Sequence, residues 1–146
     1  MYNTVNQLKE YLINYDIKPS TIRLKILEYL LNNPIHPTAD DIYKSLLDQI
    51  PTISKTSVYN TMDLFADKGV VKVISLDGKV ARYDINTCLH GHFKCRVCER
   101  VFDFPFSSKI PTPKELNGFV INEIDINFYG VCQNCKKIKE GRFSHR

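Results

Sequence analysis

The chain has 146 residues, of which 43% are apolar and 25% charged, with 6 Gly and 7 Pro, a composition that suits one or two small globular domains and excludes collagenous, fibrous and disordered classes. No stretch approaches the ~20 apolar residues of a membrane helix, and polar residues rather than a secretory signal follow Met1, so a soluble, cytoplasmic protein with no membrane partner is expected. Five cysteines in a reducing compartment favour metal binding over disulfides, and the net charge of +4 arises wholly after residue 84, too small an excess to argue for nucleic acid by itself.

Val5, Leu8, Leu12 and Tyr15 recur at helical steps and predict an amphipathic first helix. Ser20 reads as the N-cap of a second helix carrying Ile22, Ile26, Leu27, Leu30 and Leu31, stopped by Asn32-Asn33-Pro34. Thr38-Ala39-Asp40-Asp41 has the form of a capping box opening a third helix through Leu47. Ser54 caps a fourth helix with Val58, Met62 and Phe65 inward and Gly69 at its end. Val70–Leu76 and Lys79–Ile85 are β-rich runs separated by Asp77-Gly78, a strong hairpin signal. Helices followed by a hairpin describe a winged helix. From about residue 86 the texture changes to cysteine pairs, aromatic alternation, a proline-broken stretch from Pro105 to Pro113, and alternation again over Phe119–Tyr129. The expected class is therefore α+β: an N-terminal winged helix-turn-helix domain (1–84), a hinge (85–89), and a C-terminal α/β domain with a structural zinc site (90–146).

Cys95-x-x-Cys98 and Cys132-x-x-Cys135 are two knuckles, each able to offer two thiolates to one tetrahedral ion. A redox dithiol or inert buried thiols are the rivals, but both require the doubling to be coincidence. A closed four-thiolate Zn(2+) site has no position open for substrate, so its role is structural. The fourth helix presents Lys55, Thr56, Ser57, Tyr59 and Asn60 near its N-terminus, where recognition helices reach base edges; Asn60 suits adenine and Tyr59 a thymine methyl. A protein-interaction winged helix is the alternative. Lys18, Arg23, Lys55 and Lys79 are candidate phosphate contacts, each also readable as an ordinary solvated charge. His36, His90 and His92, singly, read as capping or core histidines. Together with Asp84 and Asp103 they form a donor set suited to Fe(2+), Mn(2+) or Zn(2+). Cys88 is the odd thiol and reads as a lone, partly buried cysteine.

His36-Pro37-Thr38-Ala39-Asp40-Asp41-Ile42-Tyr43, Ser57-Val58-Tyr59-Asn60, Tyr83-Asp84, His90-Gly91-His92 and the two knuckles together resemble the ferric uptake regulator family over nearly the whole chain. The resemblance implies a homodimeric winged-helix repressor with a C-terminal dimerisation domain. It also implies structural Zn(2+) on Cys95, Cys98, Cys132 and Cys135, and a regulatory Fe(2+) or Mn(2+) on His36, Asp84, His90, His92 and Asp103. Aspartate rather than glutamate at 84 and 103 is similar to the peroxide-responsive branch, in which a ligand histidine is oxidised and the DNA released; His36 and His90 are the corresponding oxidation-sensitive positions. The chain departs from the family in Glu123-Ile124-Asp125-Ile126, where many members carry a further histidine, and in Cys88.

The function this implies is a metal-dependent, peroxide-sensing repressor that binds palindromic, double-stranded operator DNA as a dimer. The alternative within the family is an Fe(2+)- or Mn(2+)-responsive uptake repressor without peroxide chemistry. A non-haem iron oxygenase is the rival from another class, but five protein ligands leave little room for substrate plus oxygen and no cosubstrate motif is visible, so no enzyme is expected. A zinc-stabilised interaction module without a regulatory ion is the third reading.

Overall fold

A computed structural model describes residues 4–76, 78, 80–106 and 112–143, with backbone only for 139–143. The chain divides into two compact units, Met1–Thr87 and Cys88–Arg146.

In the first unit, helices α1 (Val5–Asn14), α2 (Thr21–Asn32), α3 (Ala39–Leu46) and α4 (Lys55–Asp67) precede strands β1 (Lys72–Ile74) and β2 (Arg82–Asp84). The starts follow from local chemistry. Thr4 and Thr38 close capping boxes with Gln7 and Asp41, and Ser20 and Ser54 accept from Arg23 N–H and Ser57 N–H. α4 ends because Gly69 adopts φ +83°, a left-handed turn that only glycine makes without strain. The apolar stripes meet in one core: Leu12, Ile26, Leu27, Ile42, Val58, Met62 and Phe65 are fully buried, each worth ~1.5–3 kcal/mol of transfer free energy. Val5 departs from its expected inward position and is exposed, because the helix starts there and its Cβ projects past the first buried turn at Leu8.

The hairpin is shorter than its β-rich runs. β1 and β2 pair antiparallel only from Lys72↔Asp84 to Ile74↔Arg82. Val70 and Val71 are instead tied back to the helix, both donating to Phe65 O (2.8 and 3.4 Å) and packing in the core. The expected turn residue Asp77 lies outside the described residues. β2 also gains a partner on its other side, through the Thr38↔Arg82 bridge and the bond from Tyr83 N–H to Pro37 O at 2.9 Å. That pairing brings the His36-Pro37 corner alongside β2.

The second unit contains β3 (His90–Cys95), β4 (Val101–Pro105), a 3-10 turn (Lys114–Leu116), β5 (Asn127–Gly130) and helix α5 (Gln133–Phe143). Its sheet has the order β4-β3-β5, with β3–β4 antiparallel and β3–β5 parallel. Cross-strand partners share a face, so His90, His92, Lys94, Asp103, Asn127 and Tyr129 occupy one side and Gly91, Phe93, Phe102, Phe104 and Phe128 the other. The alternation expected over Phe119–Tyr129 forms a ladder only at its end, over Asn127–Gly130. α5, absent from the sequence expectation, begins with the bond from Lys136 N–H to Cys132 O at 2.9 Å and so grows directly out of the second knuckle. No helix among the described residues is long and apolar enough to cross a membrane.

Candidate metal centres and nucleic-acid face

The two knuckles converge. One Sγ atom from each of Cys95, Cys98, Cys132 and Cys135 lies within 4.8 Å of the others, and Cys98 Sγ to Cys132 Sγ is 3.8 Å. A tetrahedron with ~2.3 Å metal–sulfur bonds has edges of ~3.8 Å, so the spacing fits Zn(2+). The backbone builds the cradle. Glu99, at φ +62°, reverses the chain so that Cys95 N–H meets Arg100 O at 3.0 Å, and the N–H groups of Cys98 and Cys132 donate to Cys95 Sγ at 3.5 and 3.3 Å. Burial pushes the Cys95 thiol up, but those donors and that of Val97 outweigh it and hold it at about 6. Burial and the three neighbouring cysteines push Cys135 the other way, to about 12. Four adjacent sulfurs cannot all ionise unaided, and a dication is what allows them to do so.

In the first unit, His36 and Asp84 are buried, with His36 Nε2 at 3.4 Å from Asp84 Oδ2. Asp84 Oδ1 accepts from Asn86 N–H at 2.9 Å, which aims the other oxygen at the imidazole. In the second unit, His90 Nε2 and His92 Nε2 stand 3.6 and 3.5 Å from Asp103 Oδ1, with the two rings edge to face at 4.5 Å. A carbonyl can only accept, so the 2.6 Å contact between His90 Nδ1 and Cys88 O assigns the proton to Nδ1 and leaves the Nε2 lone pair as the one suited to a cation. Nitrogen–oxygen separations of 3.4–3.6 Å exceed the 2.7–3.2 Å hydrogen-bond range; they resemble the spacing of donors that share a cation. Imidazole and carboxylate donors of this kind suit Fe(2+) or Mn(2+). Asp84 ends β2 and His90 begins β3. Cys88 is exposed rather than partly buried, and its carbonyl contacts His90.

On α4 Lys55, Thr56, Tyr59 and Asn60 are exposed, with Lys55 at the edge of the buried stripe of Val58, Met62 and Phe65 and the other three turned further from it. Ser57 sits at the border and is drawn into the cap, its Oγ 2.8 Å from Ser54 Oγ and its carbonyl accepting from Thr61 at 2.8 Å. Lys55 is pinned 3.6 Å from Asp40 and lies over the Tyr43 ring at 5.5 Å; hydrogen bonding from Lys44, together with the Lys55 charge, holds the Asp40 carboxyl below the usual range. Lys18 is exposed, while the Arg23 guanidinium donates to the Lys18 carbonyl at 2.8 Å. Lys79 lies outside the described residues.

Residues 14–129 match the profile of the ferric uptake regulator family. The chain belongs to the ferric uptake regulator family. Among its relatives, the peroxide operon regulator of Bacillus subtilis is 37% identical over 118 residues, 79% of this chain and 81% of the relative. The peroxide-responsive repressor PerR of Staphylococcus epidermidis is 33% identical over 118 residues, 79% of each. The fold is similar to that of the Vibrio cholerae ferric uptake regulator, with a TM-score of 0.66 at 24% identity over 85% of this chain and 98% of that one. Members of the ferric uptake regulator family are transcriptional regulators that act on DNA as dimers.

Two contacts around the candidate metal ligands are not expected from the sequence patterns. Arg82 Nη1 donates to His36 O at 3.2 Å. The Phe104 ring covers Gly91 so closely that a Cβ there would fall 2.0 Å from Phe104 Cζ. The signal for the first was the Arg82-x-Asp84 alternation, which puts both side chains on one face of β2. For the second it was a glycine between two ligand candidates in a strand, the mark of a close approach.

Proposed function

We propose that the chain is a metal-dependent, peroxide-sensing transcriptional repressor that binds palindromic operator DNA as a homodimer. The observation that carries the reading is the donor set: three histidines and two aspartates, His36, Asp84, His90, His92 and Asp103, in a chain whose curated relatives are named peroxide regulators. These five hold one Fe(2+) or Mn(2+); Cys95, Cys98, Cys132 and Cys135 hold Zn(2+). The first unit acts as the DNA-binding domain, residues 85–89 as a hinge, and residues 90–146 as the dimerisation domain. Lys55, Thr56, Tyr59 and Asn60 face the major groove from α4, with Ser57 at the edge, and Lys18, Arg23 and Lys79 meet phosphates. Phe119, Val120, Ile121 and Phe128 are exposed, and β5 is an edge strand; a second copy of the chain covers both features. A cytoplasmic location accords with reduced thiolates and a DNA target.

Ligands drawn from both units make ion binding favour one domain arrangement, and in a dimer that arrangement sets the spacing of the two recognition helices, which must match half-sites about one helical turn, or a multiple of it, apart. The ion shifts this equilibrium only through its differential affinity, typically ~1–3 kcal/mol. When bound, Fe(2+) supplies the reducing power that activates hydrogen peroxide, which Mn(2+) does not readily do. His36 or His90 would be the residue oxidised: overall a ring C–H becomes C–OH with one peroxide oxygen, the displaced hydrogen leaves with the other oxygen as water, and the iron undergoes no net change. The oxidised ring is a poorer donor, the ligand set weakens, and the DNA-competent arrangement is no longer favoured.

Asp103, the more exposed of the two carboxylates at 39%, governs access. Its side chain is one methylene shorter than that of glutamate, so it would leave more room for peroxide beside a bound ion, room that a glutamate could fill. Asp103→Glu should retain metal-dependent DNA binding but lose most of its peroxide response, measured as operator release by the Fe(2+)-loaded variant. A variant that releases DNA as readily as the parent favours a different source of peroxide sensitivity.

A further inference from the structure

His36 takes up an improbable backbone conformation. Its φ is +59°, in the left-handed region that a residue with a Cβ seldom occupies, and the following Pro37 restricts the residue before it still further. A conformation of this kind persists only where surrounding contacts over-determine it. Those contacts come from β2. Tyr83 N–H donates to Pro37 O at 2.9 Å, Thr38 bridges to Arg82, and the Arg82 guanidinium donates to the carbonyl of His36 itself at 3.2 Å. Arg82 and Asp84 are two residues apart and so project from the same face of β2. One strand therefore grips His36 at both ends, with Arg82 at its carbonyl and Asp84 facing its Nε2 at 3.4 Å.

We propose that Arg82 is a positioning residue for the regulatory ion, acting through the backbone of His36. The proposal rests on the reading of His36 and Asp84 as ligands. Arginine suits the task because its guanidinium stays charged and presents donors in a rigid plane. Without that donor the Ile35–Pro37 corner relaxes toward extended backbone, which turns the His36 ring away from Asp84. Ordering the corner must then be done by the ion, at the expense of affinity. Arg82 lies outside the buried core cluster, so the fold and the α4 surface are left intact.

The test uses full-length, zinc-replete protein with Mn(2+) as the probe, the free ion being measured by its electron paramagnetic resonance signal. Arg82→Met keeps the aliphatic stem and removes the donors; Arg82→Lys keeps a donor without the fork; His36→Ala removes the ligand. Arg82→Met should weaken Mn(2+) binding about ten- to a hundred-fold, the range typical of outer-shell partners, with zinc content and unfolding midpoint unchanged, and Arg82→Lys should recover part of the loss. Parental affinity in Arg82→Met alongside a clear loss in His36→Ala overturns the role of Arg82 and leaves the ligand assignment standing. Parental affinity in His36→Ala removes the ligand assignment and this proposal with it. Equal loss of Mn(2+) affinity and unfolding midpoint in both Arg82 variants shows that Arg82 supports the fold alone, and also overturns the proposal.

Discussion

Gly91 stands between His90 and His92 and faces the other side of β3, where the Phe104 ring lies over its backbone and stacks on Phe128 at a centroid distance of 4.9 Å. A side chain at 91 would displace that ring, and the ring's own strand carries Asp103 on the opposite face. Gly91→Ala should therefore destabilise the second unit by ~1–3 kcal/mol, the usual range for overpacking, read from urea unfolding of the zinc-loaded protein. Phe104→Ala should absorb much of that cost, so the double variant should be less destabilised than the sum of the singles. Additive losses would show that the ring and the glycine are not coupled. Left-handed backbone at His36 and Glu99 costs ~1–2 kcal/mol each, and both positions serve proposed metal sites: one is a ligand, the other turns the first knuckle. Strain of this sort is found where a site requires a geometry that the local chain would not choose.

At the scale of elements, the zinc cradle joins the end of β3 to the start of α5, and α5 has little apolar periodicity of its own to hold it against the sheet. Removing the ion with a strong chelator, or changing Cys98→Ser or Cys135→Ser, should unfold the second unit and yield monomers, while the helical signal of the first unit, with its separate core, persists. Structural Zn(2+) in small sites contributes ~10 kcal/mol or more to folding, so the loss should be complete rather than graded. Full zinc content and a folded dimer in both variants would remove the structural role. The helix starts were legible in the sequence because a hydroxyl at Ser20, Thr38 or Ser54 acts within three residues of its own position, and the metal cradle was legible because two C-x-x-C pairs carry their geometry with them. The shortened β1 and the helix α5 were not. Val70 and Val71 have strand propensity, but their N–H groups are claimed by Phe65 O in the capping turn that Gly69 makes at the end of α4. α5 owes its start to a cysteine pair, and the contact from Arg82 to the His36 carbonyl depends on a backbone angle that histidine does not advertise.

For the whole molecule, the proposed regulatory ion takes ligands from both units, and oxidation of one of its imidazoles would then end repression. The relation is reciprocal: operator DNA that favours the metal-bound arrangement must tighten the ion by the same factor by which the ion tightens DNA. The most direct measurement uses operator duplexes selected from random sequence by the Mn(2+)-loaded protein. Their binding is followed by fluorescence anisotropy for metal-free, Mn(2+)- and Fe(2+)-loaded protein, before and after a small excess of hydrogen peroxide in the absence of oxygen, with the same samples digested for peptide mass spectrometry. The predicted result is weak binding without a regulatory ion, tight binding with either ion, and release by peroxide of the Fe(2+) form alone, with one added oxygen on the peptide containing His36 or His90. Tight binding by the metal-free protein, or an Fe(2+) form that keeps its DNA through peroxide treatment, would contradict it.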